Sequence, residues 1–177
     1  MLTRGGPFTR DDLDAMPEDG HRYELIDGVL VVTPAPSDRH QIVSMALGWA
    51  IGQALPSHLR VMAAPFDVTL GEGTVAKPDL FVAPKDAIRR HDLPRAPLLA
   101  VEILSPSTRR FDLMLKRSRY EAAGCEHYWL VDPDEPRITA LTLREGAYVE
   151  VADVVGDEEL VLVEPFGVRI VPNDLVR

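Results

Sequence analysis

Two short apolar segments that flank a helical segment constrain the fold of this chain most. LLAVEIL at residues 98–104 and HYWLVD at residues 127–132 are predicted buried strands. Residues 109–123 between them have helical spacing, with Thr108 as the predicted N-cap and Gly124 as the stop signal. A strand, a crossover helix and a second strand form a right-handed unit in which the two strands are parallel. The segment therefore predicts an α/β fold with a mixed sheet.

The predicted helix carries two sets of residues at helical spacing. Asp112, Lys116 and Tyr120 lie at i, i+4 and i+8, so they share one face, which can point at the C-terminal end of the preceding strand. The predicted core stripe beside that face comprises Phe111, Met114, Leu115, Ser118 and Ala122.

Hairpins and one longer helix are predicted in the rest of the chain. Asp27-Gly28 within residues 22–32 and Glu145-Gly146 between residues 138–143 and 147–152 are turn signals of hairpins. Ser37 or Asp38 can cap an amphipathic helix over residues 38–54, whose apolar residues at helical spacing are Ile42, Met45, Ala46, Trp49, Ala50 and Ala54. Further predicted elements are a short helix at 10–16 behind a Thr9/Asp12 capping box and strands at 59–70, 79–83, 160–163 and 167–171.

Composition limits the classes of function. The 177 residues, 46% of them hydrophobic, predict a single domain over residues 1–177, and the lack of a long apolar run predicts a soluble, cytoplasmic protein without a membrane partner. One cysteine, Cys125, excludes an internal disulfide and gives no indication of zinc. The net charge of -9 argues against a general nucleic-acid coat protein. Residues 84–120 nevertheless carry 9 basic and 4 acidic side chains, which is a weak indication of an anionic partner.

Two carboxylates occur where the sequence pattern predicts apolar surroundings. Asp79 follows Pro78 at the start of a strand, and Glu102 interrupts the run LLAVEIL. A buried ionised carboxylate is costly unless it is paired or binds a cation, and two carboxylates on neighbouring strands can converge on a hard cation such as Mg²⁺. Lys116 would then polarise the attacking water or stabilise charge on a phosphorane-like transition state. This set of residues favours phosphodiester hydrolysis.

Four segments carry a resemblance to a known family. RYELIDGVLVV, the tripeptide Pro78-Asp79-Leu80, VEILSPSTRRFDLMLKRSRYEAAGCEHYWLVDP and the hairpin end GAYVE resemble the Uma family of restriction endonucleases, within the PD-(D/E)XK nuclease superfamily. The resemblance spans roughly residues 20–170. It implies a restriction-endonuclease-like mixed β-sheet flanked by helices, with added N- and C-terminal β-hairpins. It also implies a DNA endonuclease that depends on Mg²⁺ or Mn²⁺.

The resemblance assigns roles to particular residues. It makes Asp79 the metal-binding aspartate and Glu102 the second metal-binding carboxylate. The superfamily's catalytic lysine usually stands two residues after that carboxylate, where this chain has Leu104, and the resemblance indicates that Lys116 replaces it from the helix. Some superfamily members use a glutamate from the first helix. Residues 38–54 contain no Glu, and Glu24 is the nearest substitute.

Several other residues have a possible supporting or a purely structural role. Asp112 and Tyr120 are expected to support the site, and His40 either donates to a phosphate or, as we slightly favour, occupies a solvated first turn. Ser105, Ser107 and Thr108 are interpreted as a turn and helix cap, and Tyr128-Trp129 as core. The candidate nucleic-acid contacts are Arg109, Arg110, Arg117 and Arg119.

Three hypotheses from different classes fit these observations. The first is a metal-dependent endonuclease acting on DNA. The second is a catalytically silent nuclease fold that binds nucleic acid or protein, which Leu104 and the acidic net charge favour. The third is a purely structural dimer. A symmetric homodimer is expected on general grounds, because most soluble assemblies are two-fold and cleavage of duplex DNA benefits from two matched sites.

Overall fold

The computed structural model describes residues 6–106, 109 and 111–177, without the side chain of Phe111. Its helical elements are α1 (Arg10–Asp14), α2 (Asp38–Ala54), a π-helix (Phe111–Lys116) that continues into α3 (Arg117–Ala122), and a 3₁₀ helix (Pro172–Leu175). Its strands are β1 (Arg22–Ile26), β2 (Val29–Thr33), β3 (Leu59–Ala63), β4 (Asp67–Gly71), β5 (Thr74–Ala76), β6 (Leu80–Pro84), β7 (Asp92–Leu93), β8 (Leu99–Ile103), β9 (His127–Asp132), β10 (Arg137–Arg144), β11 (Ala147–Val155), β12 (Leu160–Leu162) and β13 (Val168–Ile170).

A six-stranded sheet is built around the predicted strand–helix–strand unit. Its strand order is β11-β10-β9-β8-β6-β3. Strands β8 and β9 are parallel, and the other neighbours in this sheet are antiparallel. The prediction of a mixed α/β sheet with parallel strands at residues 98–104 and 127–132 is therefore confirmed.

The N-terminal half forms a second, five-stranded sheet with the order β2-β1-β5-β4-β7. Its β1–β2 hairpin turns at Asp27 and Gly28, whose φ values of 52° and 74° are those of the predicted type I′ turn. The C-terminal hairpin β10–β11 turns in the same way at Glu145 and Gly146, and β12 pairs with β13 in a separate ribbon. Both predicted hairpins are confirmed.

The single strand predicted at residues 59–70 is wrong. The structure divides it into β3, which belongs to the six-stranded sheet, and β4, which belongs to the five-stranded sheet. Pro65 lies between the two strands, and a proline cannot donate a backbone hydrogen bond to a ladder. The short strand β7, which pairs in parallel with β4, was not predicted from the sequence.

Side chains alternate across β8 and β9 as expected, so the six-stranded sheet has two different faces. Val101, Ile103, Trp129 and Val131 pack with α2 and the C-terminal strands in one apolar cluster. The other face carries Ala100, Leu104, Tyr128 and Leu130, together with Tyr120 and Cys125. Glu102 lies on this second face by the alternation of side chains. The assignment of Tyr128 and Trp129 to the core is confirmed.

Helix α2 has the predicted bounds and is capped by Ser37, and Ala46, Ala50 and Ala54 of its predicted apolar residues pack against the core, whereas Ile42, Met45 and Trp49 are exposed. The buried side chains are His40, Val43, Leu47 and Ile51. Met45 and Trp49 are 78% and 71% exposed. Gly48 and Gly52 lie on a side of the helix near the sheet, because a Cβ at Gly48 would make an ordinary contact of 3.5 Å with the Leu80 side chain and one at Gly52 a contact of 3.6 Å with Val61.

The third helical segment also differs from the prediction. It is a π-helix over its first part, and Asp112, Lys116 and Tyr120 are themselves its buried face. Of the predicted core stripe, Met114, Ser118 and Ala122 are exposed and Leu115 is half-buried. Thr108, the predicted cap, and the Phe111 side chain lie outside the described residues. A π turn is frequent at functional sites, and here it faces the carboxylates described below.

Within the described ranges, no helix combines the length and the apolar character that a membrane span requires.

Candidate active site

A cavity of about 260 Å³ lies where the two larger sheets meet the start of α2 and the π-helix. Its ionisable lining residues come from five separate elements or their ends. They are Arg22 and Glu24 of β1, His40 of α2, Asp79 before β6, Glu102 of β8, and Asp112 and Lys116 of the π-helix. The fold thus brings together residues that are up to 94 positions apart in the sequence, from 22 to 116.

Asp79 is held on several sides by donors. Its Oδ2 accepts a hydrogen bond of 2.8 Å from the Ile103 backbone N–H, and its Oδ1 accepts one of 2.8 Å from Arg22 Nη1. His40 Nε2 lies 3.0 Å from Oδ2, and because a carboxylate only accepts, this nitrogen carries the proton. Burial opposes ionisation, but the hydrogen bond from His40 and the charge of Arg22 outweigh it and lower the pKa of Asp79 to about 2.

Lys116 is buried among carboxylates. Its Nζ atom lies 3.0 Å from Glu24 Oε1, 3.2 Å from Glu102 Oε1 and 3.6 Å from Asp112 Oδ1, and its side chain is 4% exposed. Burial by itself would lower the pKa of this lysine. The charges of Glu102, Glu24 and Asp112 outweigh burial and raise the pKa above its ordinary value. Lys116 is therefore an ammonium ion at neutral pH.

At Glu102, in contrast to Lys116, the effect of burial is larger than that of the opposite charge nearby. Burial raises its pKa, the Lys116 ammonium lowers it, and the neighbouring Asp112, Asp79 and Glu24 raise it again, so the pKa lies well above the ordinary value. Tyr120 Oη donates to Glu102 Oε1 over 3.3 Å and holds the carboxyl group in place. Positive charge that enters the cavity would lower this pKa and favour the ionised carboxylate.

The charges around the cavity do not balance. Among the described residues, its lining holds four carboxyl groups, Glu24, Asp79, Glu102 and Asp112, against two permanently charged cations, Arg22 and Lys116. When all four carboxyl groups are ionised, the excess of two negative charges and the oxygen donors suit a divalent hard cation. In the part of the chain that the structure describes, no group of three or more His, Cys, Asp or Glu side chains is arranged to hold a metal ion. Mg²⁺ does not require such a cage, because it is commonly bound by one or two carboxylates with water and substrate phosphate.

The residues proposed from the sequence converge at this cavity. Asp79, Glu102, Lys116, Glu24, His40 and Asp112 line it, and Tyr120 contacts it through Glu102. The interpretation of His40 as part of a solvated first turn is wrong, because its side chain is 11% exposed and contacts Asp79. Leu104, at the usual lysine position, is buried in the apolar cluster around Tyr120 and Tyr128.

The arginines proposed as nucleic-acid contacts are already bonded within the protein. Arg109 pairs with Asp132, Arg117 Nη2 donates to the Tyr148 carbonyl over 3.4 Å, and Arg119 Nη2 lies 2.8 Å from Asp27 Oδ2. Arg110 lies outside the described residues. The three described arginines therefore each use part of the guanidinium group for a bond within the protein.

Sequence analysis missed Arg22. It stands two residues before Glu24 on β1, so the two side chains project from the same face of the strand. Because Glu24 was already a candidate, the alternation of side chains along the strand could have indicated Arg22 as well. The ion pair with Asp79 joins residues 57 positions apart, and no local pattern indicates it.

Comparisons with known proteins found one family match and a structural match. The family model Uma2, described as "Putative restriction endonuclease", matches residues 10–172. A crystal structure described as a "putative nuclease belonging to DUF820" from Anabaena variabilis aligns with a TM-score of 0.77 and 24% identity, covering 96% of this chain and 98% of that one. No curated protein matches the sequence significantly. The structural likeness shows a shared fold, and the match over nearly the whole length shows that this chain belongs to the Uma2 family.

Proposed function

We propose that this protein is a metal-dependent endonuclease that hydrolyses phosphodiester bonds in DNA. The observation that carries the proposal is the cavity in which three carboxyl groups lie within 3.6 Å of one buried ammonium group and a fourth, that of Asp79, lines the same cavity. When ionised, these four groups exceed the two permanent cations by two charges. Membership of a family described in terms of restriction endonucleases supports the same reaction. DNA is the proposed substrate because restriction endonucleases act on DNA.

Asp79 and Glu102 are the residues that would hold Mg²⁺ or Mn²⁺. When bound, such a cation supplies Lewis-acid chemistry, because it polarises a phosphoryl oxygen and lowers the pKa of water. Arg22, His40 and the Ile103 N–H keep Asp79 ionised and oriented. Tyr120 orients Glu102 in the same way. Outer partners of this kind typically contribute 10- to 100-fold to metal affinity or activity.

Lys116 is proposed to stabilise the negative charge that develops on the phosphoryl oxygens. In this proposal it takes the role of the lysine that the superfamily usually has at the position of Leu104. Its Nζ atom reaches Glu102 from the π-helix, whereas Leu104 is buried in an apolar cluster. Its raised pKa keeps it protonated, so it acts as a fixed positive charge rather than as the base that removes a proton from water.

A catalytically silent nuclease fold that binds nucleic acid or protein is the second candidate. One observation favours it: Lys116 already pairs with Glu24 and Glu102, as a purely structural counter-ion would. The engagement of Arg109, Arg117 and Arg119 in internal bonds agrees with this view. The two candidates differ in whether cleavage occurs at all.

A cleavage assay tests the proposed function. Purified protein is incubated with single- and double-stranded DNA and with RNA, in Mg²⁺, in Mn²⁺ and in EDTA, beside Asp79→Ala. We expect cleavage of DNA with either metal, and none in EDTA or with Asp79→Ala, which lacks one of the two proposed metal-binding carboxylates. Lack of cleavage by the folded wild type on every substrate with both metals would favour the silent fold.

We also propose that the protein acts as a symmetric homodimer, because two matched sites suit the two strands of duplex DNA. Ile42, Met45 and Trp49 form an exposed apolar stripe on α2, which agrees with an uncovered contact surface. Light scattering at micromolar concentration is expected to give about twice the 19.6 kDa chain mass. A monomer mass under those conditions would contradict the dimer and leave the nuclease proposal unaffected.

A further inference from the structure

A second cavity, of about 590 Å³, adjoins the candidate active site. The two cavities share Arg22, Ala35 and Pro36 in their walls. The two cavities are therefore direct neighbours, close enough for successive units of one chain-like ligand. The volume of the second cavity is in the range of sites that bind small organic groups, about 300–1,000 Å³.

The lining of this second cavity, which we call the side cavity, is partly aromatic. Tyr23 and Phe66 contribute half-buried rings, beside the apolar side chains of Leu13 and Met16. The Tyr23 hydroxyl donates to Asp19 over 2.9 Å, and the Phe66 ring packs on Phe81 with 5.4 Å between the ring centroids. Both rings are thus held in place. Aromatic faces of this kind stack on nucleobases without regard to sequence.

The charge of the side cavity distinguishes it from a phosphate site. Lys77 Nζ lies 3.4 Å from Asp67 Oδ1, and Arg22 is paired with Asp79, so both permanent cations in its wall are neutralised. Asp14 in the same wall pairs with Arg10 over 2.8 Å, and Glu18 adds negative charge. A phosphate would be repelled there, whereas an uncharged base with hydrogen-bond donors would be accepted.

We propose that the side cavity binds one nucleobase of the substrate strand, next to the phosphate that is cleaved. This inference rests on the proposed function and names its substrate class. A base in a closed duplex is stacked on its neighbours, so it can enter a cavity only if the strand is single or the base has been turned out. The preferred substrate is therefore DNA with an unstacked base at the cleavage position.

The test measures binding by full-length Glu102→Gln protein in the presence of Mg²⁺, so that cleavage does not interfere. The probes are single-stranded 12-mer DNA oligonucleotides that carry 2-aminopurine at successive positions, and matched oligonucleotides with one abasic site. We expect one position at which 2-aminopurine fluorescence is quenched on binding. Removing the base at that position is expected to weaken binding about 5- to 150-fold, the range for loss of one base–aromatic stack.

Phe66→Leu in the same background examines the cavity itself, because leucine preserves apolar volume beside Phe81 while removing the ring. We expect it to reduce affinity for the intact oligonucleotide by the same factor and to have no further effect on the abasic one. Phe8→Leu is the matched control, since Phe8 is a half-buried phenylalanine that lines neither cavity.

Each outcome separates this inference from the proposed function. If the wild type cleaves DNA but base removal and Phe66→Leu leave affinity and KM unchanged, the side cavity does not bind a base and the nuclease proposal stands. If base-dependent binding occurs but the wild type cleaves nothing, the base site stands and the nuclease proposal fails. Lack of binding to every oligonucleotide overturns the inference.

Discussion

Lys116→Met is expected to cleave DNA about 100- to 1,000-fold more slowly than the wild type at saturating Mg²⁺, the typical loss when one charge-stabilising group is removed from a transition state. The reason is the position of the ammonium group, which contacts Glu102 and Glu24 at the wall of the cavity proposed to receive the phosphate. Single-turnover rates with saturating metal measure this loss directly. The control is Lys85→Met, which removes an exposed lysine outside the cavity.

The same variant is expected to be less stable without metal. Methionine leaves Glu24, Glu102 and Asp112 buried without their shared counter-ion, and breaking a buried ion pair from one side costs about 3–5 kcal/mol. For a chain of this length that loss corresponds to a fall in Tm of roughly 6–20 °C. Thermal melting in EDTA, beside Lys85→Met, measures it.

Adding Mg²⁺ separates the two roles of Lys116. A divalent cation replaces the lost positive charge, so it should restore much of the stability of Lys116→Met by binding the folded state. It should not restore cleavage, because it cannot replace the charge at the position of Nζ. A metal-saturated Lys116→Met protein that cleaves at the wild-type rate would show that Lys116 is only a structural counter-ion.

Glu102→Gln is expected to lose cleavage by three or more powers of ten while remaining folded. The carboxamide has the shape of the protonated carboxyl group but cannot supply the negative charge that holds a cation. Metal catalysis contributes several kcal/mol to the stabilisation of a transition state, which corresponds to this loss in rate. Gln can still accept a hydrogen bond from Tyr120, and Lys116 keeps Glu24 at 3.0 Å.

The pH dependence of stability provides a second readout for Glu102. Burial and the neighbouring carboxylates raise its pKa well above the ordinary value of 4.5, so between these two values the folded state binds more protons than the unfolded state. The contribution of Glu102 to stability is therefore most favourable below pH 4.5 and declines as the pH rises toward the folded-state pKa. Glu102→Gln lacks this decline.

Thermal melting of both proteins in EDTA between pH 5 and pH 8 tests this reasoning. The Tm of Glu102→Gln minus that of the wild type should become more positive as the pH rises. In Mg²⁺ the wild type should gain stability and the variant should gain less. A difference in Tm that does not change with pH would show that the Lys116 charge outweighs burial and that Glu102 is ionised throughout.

Much of the fold and part of the candidate site could be predicted from local sequence. The turns at Asp27-Gly28 and Glu145-Gly146 depend only on residues that accept positive φ, and the bounds of α2 follow from its cap and its spacing. The alternation of side chains along β8 placed Glu102 on the face of the sheet that does not carry Val101 and Ile103. Asp79 and Glu102 were recognisable because a carboxylate in an apolar context is costly without a partner, and Lys116 through the family resemblance.

Other parts of the site were decided only by tertiary structure. The buried face of α2, which brings His40 to Asp79, consists of His40, Val43, Leu47 and Ile51, and helical spacing alone did not separate it from the exposed apolar residues. Arg22 and Glu24 belong to the five-stranded sheet, yet they contact Asp79, which directly precedes β6 of the six-stranded sheet, and Lys116, on the π-helix. Sequence periodicity predicts which residues share a face of one helix or strand. Which charges meet across elements depends on strand register and on the packing of sheets and helices, and these are set by the whole chain at once.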